Sequence, residues 1–81
     1  MQKRVMPDVI VKLWTGKSER QKARIVGEVS KAIMASTGYG EESVSVRLEE
    51  FEPSEWTEKI YKPDILSGRG KLYKKPGYGP L

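Results

Sequence analysis

Pro7 is the residue of this sequence whose chemistry depends most on its surroundings. It follows Met6 and opens an apolar run, Asp8–Trp14. A proline with a free α-nitrogen is a secondary amine, which can take a proton from carbon and return it. While Met6 stays attached, the same nitrogen belongs to an amide and has no basic lone pair. A proline at the first position of a strand is also common for backbone reasons alone, so a catalytic and a structural interpretation both stand at this point.

The residue types missing from the chain make this amine more interesting. The sequence contains no histidine and no cysteine, which removes the usual general base and the usual zinc ligands. An α-amino group has a reference pKa of about 7.7–8, and burial or nearby cations lower it. A general base works best when its pKa lies near the operating pH. A proline amine therefore suits acid–base catalysis in this chain, and we expect no cofactor and no metal.

Chain length predicts self-association. A single small domain of 81 residues buries only roughly 60% of its unfolded surface when it folds alone. Small folds usually need disulfides, metals or partner chains. Because the chain has no cysteine with which to form disulfides, we expect it to associate with itself. The absence of cysteine also fits a reducing compartment.

The net charge of +4 raises the possibility of a nucleic-acid partner. The basic residues are spread along the chain among acidic ones, and no aromatic-plus-basic motif is present, so we expect mixed surface charge and no nucleic-acid partner. A basic nucleic-acid-binding module stays the minor alternative. No apolar run approaches the roughly 20 residues that span a bilayer, and no apolar signal segment follows Lys3 and Arg4. We expect no membrane partner and a cytosolic location.

The first half of the chain predicts a strand followed by a helix. Alternating apolar residues favour a strand over Asp8–Trp14. Ser18 and Gln21 have the S-x-x-Q spacing of a capping box, which predicts a helix over about residues 19–36. Gly38 follows the last apolar position and suits the end of that helix.

A second strand over residues 43–51 completes a β-α-β unit and an α+β fold. Crossovers of this kind are nearly always right-handed and give parallel strands. The helix covers one face of the two strands, so the other face must meet another chain or the C-terminal segment. Residues 53–56 predict either a turn or a short helical turn with Ser54 as its cap. Residues 57–81 contain Pro63, Pro76 and several glycines, and predict an arm with short strand pieces on the same or a neighbouring subunit.

A series of short motifs follows Pro7 in a distinctive order. They are Gly16-Lys17-Ser18, Gln21-Lys22, Glu28-Val29-Ser30, Ala32-Ile33 and Ser43-Val44. Their shared register, rather than any one motif, resembles the 4-oxalocrotonate tautomerase superfamily over about residues 7 to 56. Two later segments resemble the small dimeric, YdcE-like bacterial branch of that superfamily: Glu52-Pro53-Ser54-Glu55-Trp56 and Lys74-Lys75-Pro76-Gly77-Tyr78.

The resemblance implies a single β-α-β subunit with parallel strands, one long helix and a C-terminal arm, assembling as an oligomer with active sites at subunit contacts. A homodimer is favoured and a hexamer is the alternative. It implies an amino-terminal proline that acts as acid–base catalyst on the keto and enol forms of a small, anionic carbonyl compound. Pro7 takes that catalytic place. Lys17 stands where hexameric members commonly carry a substrate-binding arginine, Ser45 where they carry a second arginine, and Trp56 where they carry a pocket phenylalanine.

Arg47 is the candidate for the role left vacant at Ser45. It lies two residues further along the same strand face, and a guanidinium binds a carboxylate through two hydrogen bonds. Each assignment has a plainer alternative. In these alternatives Lys17 is a solvated lysine and Arg47 is paired to a neighbour such as Glu49. Trp56 is then an interface anchor.

Residues 1–5 are predicted to be an N-terminal extension to a single domain of residues 6–81. They are a misassigned start, a remnant of expression or a genuine extension. If translation begins at Met6, removal of that methionine leaves Pro7 with a free amine. With the extension in place we expect weak or absent proline-dependent activity. The alternative function is a non-catalytic oligomeric domain of the tautomerase fold, in which residues 1–6 block Pro7.

Overall fold

The computed structural model describes residues 6–79, so the predicted extension over residues 1–5 lies outside the described residues. The regular elements, in chain order, are strand β1 (Asp8–Trp14), helix α1 (Glu19–Thr37), strand β2 (Ser45–Phe51) and a π-helix (Thr57–Leu66). Two short 3₁₀ turns precede the last two of these, at Glu41–Ser43 and at Pro53–Glu55.

The two strands pair in parallel, which confirms the predicted β-α-β order and the α+β fold class. Asp8 lies opposite Ser45 and Trp14 lies opposite Phe51. Strand β1 has the predicted bounds. Strand β2 begins at Ser45, two positions later than residue 43, because Glu41–Ser43 forms a 3₁₀ turn instead of extended backbone.

Local signals at both ends explain where helix α1 begins and ends. The Ser18 hydroxyl accepts from the Gln21 N–H, and the Gln21 side chain accepts from the Ser18 N–H, which completes the predicted capping box. The helix runs to Thr37, and Gly38 follows in the left-handed region at φ 79°. Glycine has no Cβ and takes this conformation without strain.

Helix α1 packs against one face of the sheet. The Lys22 ammonium on the helix lies 2.8 Å from the Glu50 carboxylate on β2. Because successive strand residues alternate between faces, Val46 and Leu48 share the face of Glu50, and both are half-buried. Packing of helix α1 on this face holds the start of β2 beside the start of β1.

The C-terminal segment covers part of the opposite face. The Lys12 ammonium of β1 bonds to the Asp64 carboxylate of the π-helix. Phe51 at the end of β2 meets Trp56 edge to face, with ring centroids 6.3 Å apart. Ile10 and Trp14 on this face remain 45% and 41% exposed, so the segment covers only part of it.

The prediction of strand pieces after residue 56 is wrong, because Thr57–Leu66 is helical. Pro63 lies inside this helix, where it has no N–H to donate to a backbone carbonyl. The prediction of Ser54 as a cap is also wrong. Glu52 precedes the 3₁₀ turn and forms a reciprocal capping box with Glu55.

Within residues 6–79 the buried core is small. It consists of Trp56, Ile60 and Tyr61, with Phe51 and Ile65 packed against it. Over the same range, no helix is both long enough and apolar enough to cross a membrane.

Candidate active site

Pro7 lies at the amino end of the sheet, where a backbone hydrogen bond fixes it. The Ser45 N–H donates to the Pro7 carbonyl at 3.1 Å, one step before the first strand pair. Proline has no N–H of its own to donate, so this bond is what joins Pro7 to the ladder. The residue is half-buried. The backbone of Pro7 is therefore held in place by the pairing of the two strands.

Ser45 is uncharged, so it places no cation at this end of the sheet, and its hydroxyl already has a hydrogen-bond partner. Its Oγ donates to Oδ1 of Asp8 at 2.7 Å. The residue after Pro7 is thus a carboxylate, and it is hydrogen-bonded to Ser45, the position at which the family resemblance implies an arginine. Sequence reasoning did not assign a role to Asp8. The signal for it is the strand register, which places Asp8 directly opposite Ser45.

Arg47 lies on the same face as Asp8 and Ser45, one residue pair further along. Its Cα partner is Ile10. Its side chain is exposed, and it forms no ion pair with Glu49 or with any other carboxylate in residues 6–79. An unpaired guanidinium on an exposed strand face is available to bind an anion in two-point fashion.

Lys12, the next cation along this face, is already neutralised. The hydrogen bond from its ammonium to Asp64 raises the pKa of Lys12, against an opposing contribution from burial. The Asp64 carboxylate also forms an ion pair with this ammonium. Lys12 therefore serves to fasten the C-terminal segment rather than to bind a substrate.

Lys17 and Trp56 lie at the other end of the sheet from Pro7. Lys17 follows the carboxyl end of β1, and Trp56 follows the carboxyl end of β2. The strands are parallel and each spans about 20 Å, so no small molecule bound at Pro7 of one subunit contacts either residue of that subunit. A site that combines Pro7 with Lys17 or Trp56 takes them from a second copy.

The immediate surroundings of these two residues also differ. Lys17 borders an open groove along the outer side of helix α1, lined further by Gln21, Arg24, Ile25, Glu28 and Val29. Trp56 is buried, and its indole N–H donates to the Tyr78 hydroxyl at 3.0 Å. Lys17 is accessible to a ligand or to another chain, whereas Trp56 is a core residue of its own subunit.

Comparison with protein families and curated proteins gives consistent matches. The family model described as tautomerase enzyme matches residues 7–58. A Xylella fastidiosa protein named "Probable tautomerase" is 34% identical over 94% of this chain and 93% of its own length. The tautomerase PptA of Pectobacterium carotovorum is 32% identical over 90% of this chain and 97% of its own length.

Solved structures agree with this assignment. TomN, a 4-oxalocrotonate tautomerase homologue of the tomaymycin biosynthetic pathway, superposes with a TM-score of 0.61 at 30% identity, over 62% of this chain and 77% of TomN. YwhB, another homologue of 4-oxalocrotonate tautomerase, gives a TM-score of 0.56 at 37% identity, over 57% of this chain and 75% of YwhB. With its parallel β-α-β core and its match beginning at Pro7, the chain belongs to the tautomerase family, within the 4-oxalocrotonate tautomerase superfamily.

Proposed function

We propose that this protein interconverts the keto and enol forms of a small, anionic carbonyl compound, with the Pro7 nitrogen as the acid–base catalyst in a chain that begins at Pro7. The observation that carries the proposal is the position of Pro7. It is half-buried, its carbonyl is bonded to Ser45, and it is the first residue of the tautomerase family match.

In the proposed reaction the neutral Pro7 amine takes a proton from the carbon next to the carbonyl group. The C–H bond breaks, the N–H bond forms, and the electron pair passes to the carbonyl oxygen as an enolate. The protonated amine then returns the proton to that oxygen or to another carbon, which regenerates the base. The guanidinium of Arg47 binds the carboxylate of the substrate and orients it.

Lys17 enters the proposed site from a second copy, where it stabilises the negative charge that develops on the enolate oxygen. The small core and the exposed Ile10 and Trp14 support self-association, and we favour a homodimer over a hexamer. Sedimentation equilibrium at micromolar concentration tests this assembly, since a monomer at that concentration contradicts it. A cytosolic location belongs to the same proposal.

The test of function compares two forms of the protein, the chain that begins at Pro7 and the full 81 residues. Ketonisation of phenylenolpyruvate and of 2-hydroxymuconate is followed by absorbance. We expect turnover by the form with the free amine and little by the full chain, whose Pro7 nitrogen is an amide. Equal background rates for both forms would rule out a proline-dependent tautomerase.

The second candidate function is a non-catalytic oligomeric domain that keeps the tautomerase fold. The hydrogen bond between Ser45 and Asp8 favours it, because a serine that is bonded to a carboxylate stands where the resemblance implies an arginine. Mass spectrometry of the protein from its native source distinguishes the two. A mature chain that starts at Met1 supports the non-catalytic domain, and one that starts at Pro7 supports the enzyme.

A further inference from the structure

Asp8 is the acidic residue nearest the proposed base, and its charge is not compensated by a described cation. The Ser45 hydroxyl donates to Oδ1 at 2.7 Å. No lysine or arginine of residues 6–79 forms an ion pair with this carboxylate. A hydroxyl donor orients a carboxylate without removing its charge, so Asp8 presents a fixed negative charge beside Pro7.

The strand register sets the backbone spacing between Asp8 and Arg47, whose guanidinium has no ion-pair partner in residues 6–79. Asp8 and Ser45 form one residue pair, and Ile10 and Arg47 form the next pair on the same face. Two residues along a strand correspond to about 6.6 Å. A substrate with its reacting carbon at Pro7 therefore meets a carboxylate at the end near the proline and a guanidinium about one residue pair away.

These positions favour a substrate with one negative charge and disfavour a substrate with two. A substrate carboxylate pairs with Arg47, whereas a second carboxylate at the end near Pro7 lies within a few ångströms of Asp8. Like charges close together repel, and the repulsion is stronger where the local dielectric constant is lower. Repulsion of an unwanted ligand is an established route to specificity.

We propose that Asp8, positioned by Ser45, is a specificity-determining residue that keeps a second negative charge out of the end of the site nearest Pro7. The site then takes enolisable compounds with a single carboxylate in preference to dicarboxylates. This inference rests on the proposed function, because it assumes that a substrate sits between Pro7 and Arg47.

The kinetic test uses the chain that begins at Pro7, with phenylenolpyruvate as the singly charged probe and 2-hydroxymuconate as the doubly charged one. The variable is the ratio of kcat/KM for the dianion to kcat/KM for the monoanion. Asp8→Asn retains an acceptor for the Ser45 hydroxyl but removes the charge, and we expect it to raise the ratio about 5- to 20-fold. Added salt raises the ratio in the parent and leaves it nearly constant in Asp8→Asn.

Two further variants distinguish the effect of the Asp8 charge on this ratio from the effect of other charges on the same strand face. Glu49→Gln makes the same chemical change further along the strand face and should leave the ratio within about twofold. Ser45→Ala keeps the charge but releases its orientation, so it should shift the ratio less than Asp8→Asn does. An unchanged ratio in Asp8→Asn, or an equal shift in Glu49→Gln, overturns the inference.

A binding measurement keeps this inference distinct from the proposed function. Titration calorimetry compares the affinities of cinnamate and of trans,trans-muconate for the same proteins. If the parent has no turnover but Asp8→Asn gains affinity for muconate alone, the proposed reaction fails and the charge selection by Asp8 stands. If neither ligand binds to either protein, Asp8 does not border a ligand site and the inference is overturned.

Discussion

The indole Nε1 of Trp56 donates a hydrogen bond to the Tyr78 hydroxyl, at 3.0 Å. Trp56 belongs to the small buried core. The ring of Tyr78 also lies 5.7 Å from that of Tyr61, another core residue. Tyr78 therefore anchors residues 67–79, which form no helix or strand, to the body of the subunit.

Tyr78→Phe should destabilise the protein because it leaves the indole N–H of a buried residue without its partner. We expect a loss of about 1–3 kcal/mol, the usual penalty for an unpaired buried donor. Urea denaturation at fixed protein concentration measures it. Tyr73→Phe is the matched control, because Tyr73 is 87% exposed and its change should stay within about 0.5 kcal/mol. Equal losses in both variants would show that the tail does not depend on this bond.

Gly68→Ala should disturb the end of the π-helix. A Cβ at this position would clash with the Asp64 carbonyl oxygen, so the backbone must shift. We expect a loss of about 1–3 kcal/mol, as for other overpacked sites. Gly77→Ala is the control, because its Cβ would meet no heavy atom within 4 Å. Thermal denaturation followed by circular dichroism compares the two, and an unaltered Gly68→Ala transition contradicts this local geometry.

Short-range patterns account for the parts of the fold that the sequence predicts. The bounds of β1 follow from alternation over Asp8–Trp14, and the start of α1 follows from the Ser18–Gln21 capping box. The sequence does not predict the π-helix because Pro63 lies inside it, and a proline ordinarily ends a helix. Packing of Ile60 and Tyr61 in the core stabilises that helix. Because such packing joins segments that are distant in sequence, it leaves no local sequence pattern from which to predict the helix.

The sequence likewise predicts only part of the candidate site. The motif order singles out Pro7, Lys17, Ser45 and Trp56, but spacing along a chain carries no distance in space. The parallel direction of the strands places Lys17 and Trp56 about one strand length from Pro7. The contact between Asp8 and Ser45 depends on the register of pairing between two strands, which the tertiary fold sets.

Two glycines of the helical region should respond to alanine with opposite signs. Gly27 lies inside α1 with ordinary helical backbone and open space around its Cβ position, so Gly27→Ala should stabilise by about 0.5–1 kcal/mol. Gly38 has φ 79°, so Gly38→Ala should destabilise by about 1–2 kcal/mol. Guanidinium denaturation of both at one protein concentration is the measurement. A loss in Gly27→Ala would mean that another chain packs closely against this part of the helix.

Stability at low pH should depend on Glu55. Its hydrogen bond with the Lys59 ammonium, and secondarily that with the Glu52 backbone, lowers the pKa of Glu55. A carboxyl group with a folded-state pKa below its unfolded value contributes stability that is present above about pH 4.3 and is lost as the pH falls through the folded value. The urea midpoint of the parent should therefore fall more between pH 5 and pH 3 than that of Glu55→Gln.

The control for this pH dependence is Glu41→Gln. The Glu41 carboxylate makes no hydrogen bond or ion pair with residues 6–79, so the variant should follow the parent at every pH. Parallel curves for the parent and Glu55→Gln would show that the contacts with Lys59 and Glu52 contribute nothing to the acid response.

Arg47→Ala should weaken substrate binding in the chain that begins at Pro7. A hydrogen bond to a charged group contributes about 1.5–3 kcal/mol, so we expect KM for phenylenolpyruvate to rise about 10- to 100-fold with a small change in kcat, the signature of lost uniform binding. Arg47→Lys should recover part of the loss, because an ammonium keeps the charge but not the two-point geometry. Arg20→Ala removes an exposed guanidinium from helix α1, which covers the opposite face of the sheet, and should leave KM unaltered. Steady-state kinetics on all three variants decide the matter: if Arg20→Ala raises KM as much as Arg47→Ala does, overall positive charge attracts the substrate and Arg47 has no specific part in binding it.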